Sequence, residues 1–135
     1  MNKLTTAKPK YFRFWFPVFL YSVIILSVSS LPGGQTPALP KHFDKFIHLC
    51  EYIPFGFLVY RALINTSKGL FLHNTVLWVV IFTGLFGAGD EFHQNFIEGR
   101  EASVADFLMD VIGGGIGAIV YQSLLKKGLL KKCQK

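Results

Sequence analysis

The chain has 135 residues, 51% of them hydrophobic and 16% aromatic, with a mean hydropathy of +0.40. That leaves room for one domain and gives a composition too apolar for a soluble fold of this size, so lipid is the expected solvent. The formal charge of +6 does not make a nucleic-acid binder, because the basic residues sit in short clusters beside apolar runs instead of along a polar face.

In chain order, Lys3, Lys8, Lys10 and Arg13 precede an apolar run that ends near Ser27-Val28-Ser29 and so imitates a secretory leader. Residues 14–31 are nevertheless long enough to cross a bilayer, which takes about 20 residues, and losing them would upset the charge balance of the rest. They are predicted to be the first span. A connection rich in Pro and Gly follows over 32–41.

The second predicted span, 43–64, carries Asp44, Lys45, His48, Glu51 and Arg61, and its uninterrupted apolar part is only Ile53 to Tyr60. Hydropathy alone would miss it. Residues 71–89 and 107–125 read directly as spans, with a short polar turn at 65–69 and an outer loop over 90–106. Three spans would put Lys126, Lys127, Lys131, Lys132 and Lys135 opposite the basic N-terminus, whereas four put both basic ends in the cytoplasm. The expected fold is therefore an all-α membrane protein, a bundle of four transmembrane helices with both termini cytoplasmic. On this topology Cys50 and Cys133 lie on opposite sides and cannot pair within one chain.

Only Lys41, Lys45 and Arg100 of the basic residues fall on the outer side, but every acidic residue does: Asp44, Glu51, Asp90, Glu91, Glu98, Glu101, Asp106 and Asp110. His42, His48 and His93 join them. Acidic residues contribute little to orientation, so the positive-inside rule does not explain this grouping.

Asp44, His48 and Glu51, spaced four and three apart, share a helix face, and Glu51 lies about 10 Å deeper than Asp44 at roughly 1.5 Å rise per residue. An ionisable group at that depth marks a site facing the bundle interior, or else snorkels from a shallow helix end. If the third helix continues, Asp90, His93 and Gln94 share one side while Glu91 points elsewhere. Carboxylates beside imidazole suit a divalent cation or acid and base work, with His48, Glu51 and His93 as metal candidates and His48, Glu51, Asp90, Glu91 and His93 as catalytic ones. A capping role where a helix meets water is the structural alternative.

Arg100 stands among Glu98, Glu101 and Asp106, either to bind a phosphate or carboxylate or to neutralise local acid. Ser103 with Asp106 forms an N-cap and an N3 acid for the fourth helix, and Asp110 lies one turn deeper than Asp106. Gly113 and Gly117 make a small-residue face for close helix approach, not a phosphate loop. Pro54 is predicted to kink the second span and free a backbone carbonyl near Glu51.

Asp44-Lys45 with His48 and Tyr52, then Asp90-Glu91-Phe92-His93-Gln94, then Gly99-Arg100 with Ser103 and Asp106, then the glycine-rich helix, together resemble the VanZ-like family over nearly the whole chain. The resemblance implies a small multi-pass protein of the bacterial cytoplasmic membrane, whose founding member is associated with low-level resistance to the glycopeptide teicoplanin. It brings no established catalytic activity, and the cofactor is left unassigned. Asp44, His48, Glu91, Gln94, Arg100 and Asp106 match the family pattern, while Glu51 and Asp110 rest on their predicted depth. Glu98 stands where the pattern has a proline before Gly-Arg.

Three functions follow as expectations. The leading one is a non-enzymatic envelope protein that binds a lipid-linked cell-wall precursor or anionic lipid headgroup through Asp44, His48, Glu51, Glu91, Gln94, Arg100, Asp106 and Asp110. The second is a membrane enzyme that processes a phosphorylated or glycosylated lipid with these acids and histidines. The third is an accessory subunit whose glycine-lined helices pack against a larger membrane complex.

Overall fold

A computed structural model describes residues 10–35 and 43–131; Lys3, Lys8, Lys41, His42 and Cys133 lie outside the described residues. The elements are α1 (Lys10–Ser29), a 3-10 turn (Gly33–Gln35), α2 (Phe43–Thr66), the short α3 (Leu70–His73), α4 (Thr75–Gln94) and α5 (Val104–Lys126), with no strand among the described residues. Four of these helices are long and apolar enough to cross a bilayer, the mark of a multi-pass membrane protein. Large apolar side chains cover the outside, Phe19, Leu85 and Ile119 among them. Such a surface is costly in water and costs nothing against acyl chains.

Helix boundaries shift from the expected ones for local reasons. Gly69, at φ +60°, ends the turn after α2 in a conformation that side chains resist, and the third long helix starts only at Thr75. That helix then continues to Gln94, so Asp90 and Glu91 belong to its last turns and not to a loop. At α5 the Ser103 hydroxyl accepts from the Asp106 N–H, which starts the helix at Val104.

α2 is the central helix, packed against α1, α4 and α5. His48, Tyr52, Phe55, Val59, Ala62 and Leu63 are buried along it. The least apolar of the spans is thus the one its neighbours cover, which explains how it carries so many charges. Tyr52, Phe55 and Val59 are wholly buried, and the Phe55 ring lies 4.9 Å from that of Phe86. α2 runs unbroken through Pro54, which removes the helical donor to the carbonyl of Cys50; one residue on, the Tyr21 hydroxyl of α1 donates to the carbonyl of Glu51 at 3.1 Å.

α5 lies directly on the α2 backbone. A methyl group at Gly113 would meet Leu49 O at 2.6 Å, and one at Gly117 would meet Phe57 N at 2.7 Å and the carbonyl of Ile53. Gly56 of α2 faces the backbone of Gly114 in return. Close approach of this kind gains dispersion energy, the main source of helix association where solvent is itself apolar.

Successive long helices alternate in direction. At one end Trp15 Nε1 donates to Thr66 Oγ1 at 3.1 Å and the Arg61 guanidinium lies 5.0 Å from the centre of the Phe14 ring. The other end gathers the last turns of α1 and α4 with the first turns of α2 and α5. There the first connection meets the α4–α5 loop, the Gly33 N–H donating to Glu98 O at 2.9 Å.

Candidate functional site

The end that gathers the acids holds a cavity of about 960 Å³. Its polar lining comes from Ser29 of α1, Asp44, Lys45, His48 and Glu51 of α2, Asp90 and Gln94 of α4, Arg100, Glu101 and Ser103 of the loop, and Asp106 of α5. Val28 and Leu31 at the end of α1 and Ile47 of α2 complete it with apolar surface.

Lys45 lies 3.1 Å from both Asp44 and Asp106, tying the first turn of α2 to that of α5. Asp106 is therefore occupied and does not reach back to the Ser103 N–H as a capping box would have it. Glu91 Oε2 of α4 accepts that N–H at 2.7 Å. The start of α5 is thus capped from a neighbouring helix, which holds Glu91 inside the bundle.

His48 stands one turn deeper than Lys45. Its Nδ1 lies 2.9 Å from Asp110 Oδ1 and 3.8 Å from Glu91 Oε1. Asp110 is 0% exposed and fits because Gly87 faces it, where a methyl would meet Asp110 Oδ2 at 2.8 Å. Asp90, 1% exposed, accepts from Gln94 Nε2 at 3.2 Å through one oxygen. Asp90 Oδ1, Glu91 Oε1, Asp110 Oδ2 and the Tyr52 hydroxyl are buried with no hydrogen-bond partner among the described residues. Leaving several such atoms unpaired in one place is costly, and natural folds tolerate it mainly at sites with a further role.

No carboxylate of the described residues forms a direct ion pair with Arg100. Its Nε donates to Leu31 O at 3.2 Å and its Nη2 to Val28 O at 3.5 Å. Both carbonyls lie at the C-terminus of α1, where a cation suits the helix dipole; Val28 O also accepts the Leu31 N–H at 3.1 Å. The loop that carries it turns at Gly99, φ +72°, with the Gly33 backbone packed against that glycine. Glycine supplies this turn without a preceding proline, so Glu98 is accommodated.

Asp44, His48, Glu51, Asp90, Gln94, Arg100 and Asp106 line the cavity together, with Glu91 and Asp110 next to His48. His93 is not part of this group: its Nε2 lies 2.9 Å from Ser30 Oγ, on the α1 side. The expected grouping of Asp90, His93 and Gln94 splits, and Glu91, expected to point away, points inward. α4 packs against α1 on one side and α5 on the other, and at about 100° per residue Glu91 and His93 face different neighbours. Among the described residues the group with metal-ligand geometry is accordingly His48, Glu91 and Asp110, not His48, Glu51 and His93; their donor atoms lie within 4.8 Å of one another.

Sequence reasoning missed two links, Lys45 to Asp106 and Glu91 to the Ser103 backbone. The Ser103 N–H signalled only that some acceptor was needed, because that acceptor comes from another helix.

No curated protein and no solved structure matches the chain. The family model described as VanZ/LLP1 does match, over residues 6–126, a stretch that takes in all four long helices and every residue of the cavity, so the chain belongs to the VanZ/LLP1 family.

Proposed function

We propose that this membrane protein binds the polar head of an amphiphile, a lipid-linked precursor or an anionic lipid, in the cavity between its four long helices. One observation carries the reading: the cavity joins an ionisable floor to an exposed apolar rim. Val28, Leu31 and Ile47 line it and are 43%, 42% and 37% exposed. A head with hydrogen-bond donors and a phosphate or carboxylate would meet the carboxylates and Arg100, while its tail would leave past these apolar side chains into the bilayer.

The basic residues at the opposite end, Arg13, Arg61 and Lys68, together with the lysine-rich tail, support a topology with both termini in the cytoplasm and the cavity at the outer face of a bacterial cytoplasmic membrane. Bound there, the protein would change how cell-wall precursors or glycopeptides behave, and protection against teicoplanin is one outcome. The test is co-purification in mild detergent followed by lipid mass analysis of wild-type, Arg100→Ala and Arg100→Lys proteins at matched membrane levels. Retention of a defined lipid by the wild type that falls about tenfold or more in Arg100→Ala agrees with the reading, since a lost charge-assisted contact is worth roughly 1.5–3 kcal/mol. Equal lipid content in all three sinks it.

A catalytic version of the same site has one observation in its favour, the imidazole of His48 held between two carboxylates beside the cavity. Turnover of a phosphorylated or glycosylated lipid by purified protein, lost in His48→Gln, would favour it over simple binding.

A further inference from the structure

We propose that His48, Glu91 and Asp110 form a binding site for one first-row divalent transition ion, whatever occupies the cavity beside it. The three come from three helices, α2, α4 and α5, and meet where nothing in their local sequence requires it. His48 Nδ1 lies 2.9 Å from Asp110 Oδ1 and 3.8 Å from Glu91 Oε1. Ligands at about 2.0–2.1 Å from a metal stand roughly 3.0–3.4 Å from one another. His48 and Asp110 already have close to that spacing, and Glu91 would close in on them, the three donor atoms lying within 4.8 Å of one another.

A second observation is independent of these distances. Glu91 Oε1 and Asp110 Oδ2 are buried and have no donor among the described residues, although the carboxylates that own them are 6% and 0% exposed. Lys45, the nearest fixed cation in sequence to His48, is committed to Asp44 and Asp106. Two buried acids therefore share a single imidazole, and a divalent ion would balance both charges and supply a partner for Glu91 Oε1. Imidazole with carboxylates selects Zn²⁺, Mn²⁺ or Co²⁺ over Mg²⁺ and Ca²⁺, which prefer all-oxygen sites. His48 also lines the cavity, which leaves a coordination position on that side for water or a ligand oxygen.

The alternative for the same atoms is an ion pair, a protonated His48 bridging Asp110 and Glu91 with no metal. Metal analysis separates the two. The full chain is purified in detergent, stripped with chelator, dialysed against Zn²⁺, Co²⁺ or Mn²⁺, and passed over chelating resin. We expect about one equivalent of Zn²⁺ to remain, with visible absorption for the Co²⁺ form and a higher Tm for the loaded protein. Retention should fall by about tenfold or more in Asp110→Asn and Glu91→Gln, and persist in His93→Ala and Glu98→Gln.

Glu91→Gln keeps an oxygen for the Ser103 N–H, so it retains the cap even where Asp110→Asn fails to fold. Failure of the stripped wild type to retain any of the three ions, with no change in Tm, overturns the proposal in favour of the ion pair. Retention that survives in Glu91→Gln or is lost in His93→Ala also overturns it, because the ion is then bound elsewhere.

Discussion

Gly117→Ala is the change that most directly tests how the site is held together. A methyl at this position meets Phe57 N at 2.7 Å and Ile53 C at 3.0 Å, and comes closer still to Ile53 O. These atoms are backbone, so no rotamer change relieves the clash, and α5 must lift off α2 to reach ordinary contact distance. Overpacking of this kind costs about 1–3 kcal/mol. The gain in helix propensity from Gly to Ala, about 1 kcal/mol, offsets part of it.

Gly115 is the internal control. Its methyl would meet only Val80 Cγ2, at 3.5 Å, so Gly115→Ala keeps the propensity gain without the clash. Thermal unfolding in one detergent should rank Gly115→Ala at or above wild type and Gly117→Ala below it. The expected gap of about 1–3 kcal/mol is roughly fivefold to a hundredfold in the unfolding equilibrium. The displacement should also separate His48 from Asp110, which are 2.9 Å apart on the same interface two turns away. If Gly117→Ala is as stable as Gly115→Ala, the close packing of α5 on α2 is wrong, and with it the geometry of the cluster.

Ser103→Ala removes the acceptor for the Asp106 N–H and should cost about 1 kcal/mol, read as faster hydrogen exchange in the first turn of α5, with Ser103→Thr restoring protection. Gly87→Ala places a methyl 2.8 Å from Asp110 Oδ2 and should weaken ligand or metal retention at normal membrane levels, a result that unchanged retention would contradict. For topology, Glu98→Cys and Lys68→Cys in a background with Cys50 and Cys133 changed to Ser can be probed with an impermeant maleimide. Position 98 should label in intact cells and position 68 only after lysis; the reverse pattern inverts the orientation.

The four spans were legible because a bilayer imposes a length and an apolar surface that a single sequence displays. Even α2, with Asp44, Lys45, His48 and Glu51 near its start, was recoverable from the need to place two basic ends on one side. The depth of Asp110 and the small-residue face of Gly113 and Gly117 were legible too, since both follow from helical spacing within one segment. Helix ends were less so: α4 continues to Gln94 because Asp90, Glu91 and Gln94 are buried among other helices, and their polarity alone reads as loop.

What the sequence by itself determined is the number of long helices, their apolar exteriors and the gathering of acids at one end, because each depends on the solvent or on spacing along one helix. What only the tertiary structure decided is which of those acids meet. Glu91 turns inward to the Ser103 N–H, His93 turns out to Ser30, Arg100 binds the carbonyls of α1 instead of a carboxylate, and Lys45 bridges to Asp106. Each outcome depends on the neighbour that a given helix face meets, and that depends on the rotation of packed helices about their axes. Local spacing cannot supply that rotation; between α2 and α5 the close contact of glycines with backbone fixes it, and between α4 and α5 the contact of Gly87 with Asp110 and of Gly114 with Thr83 does.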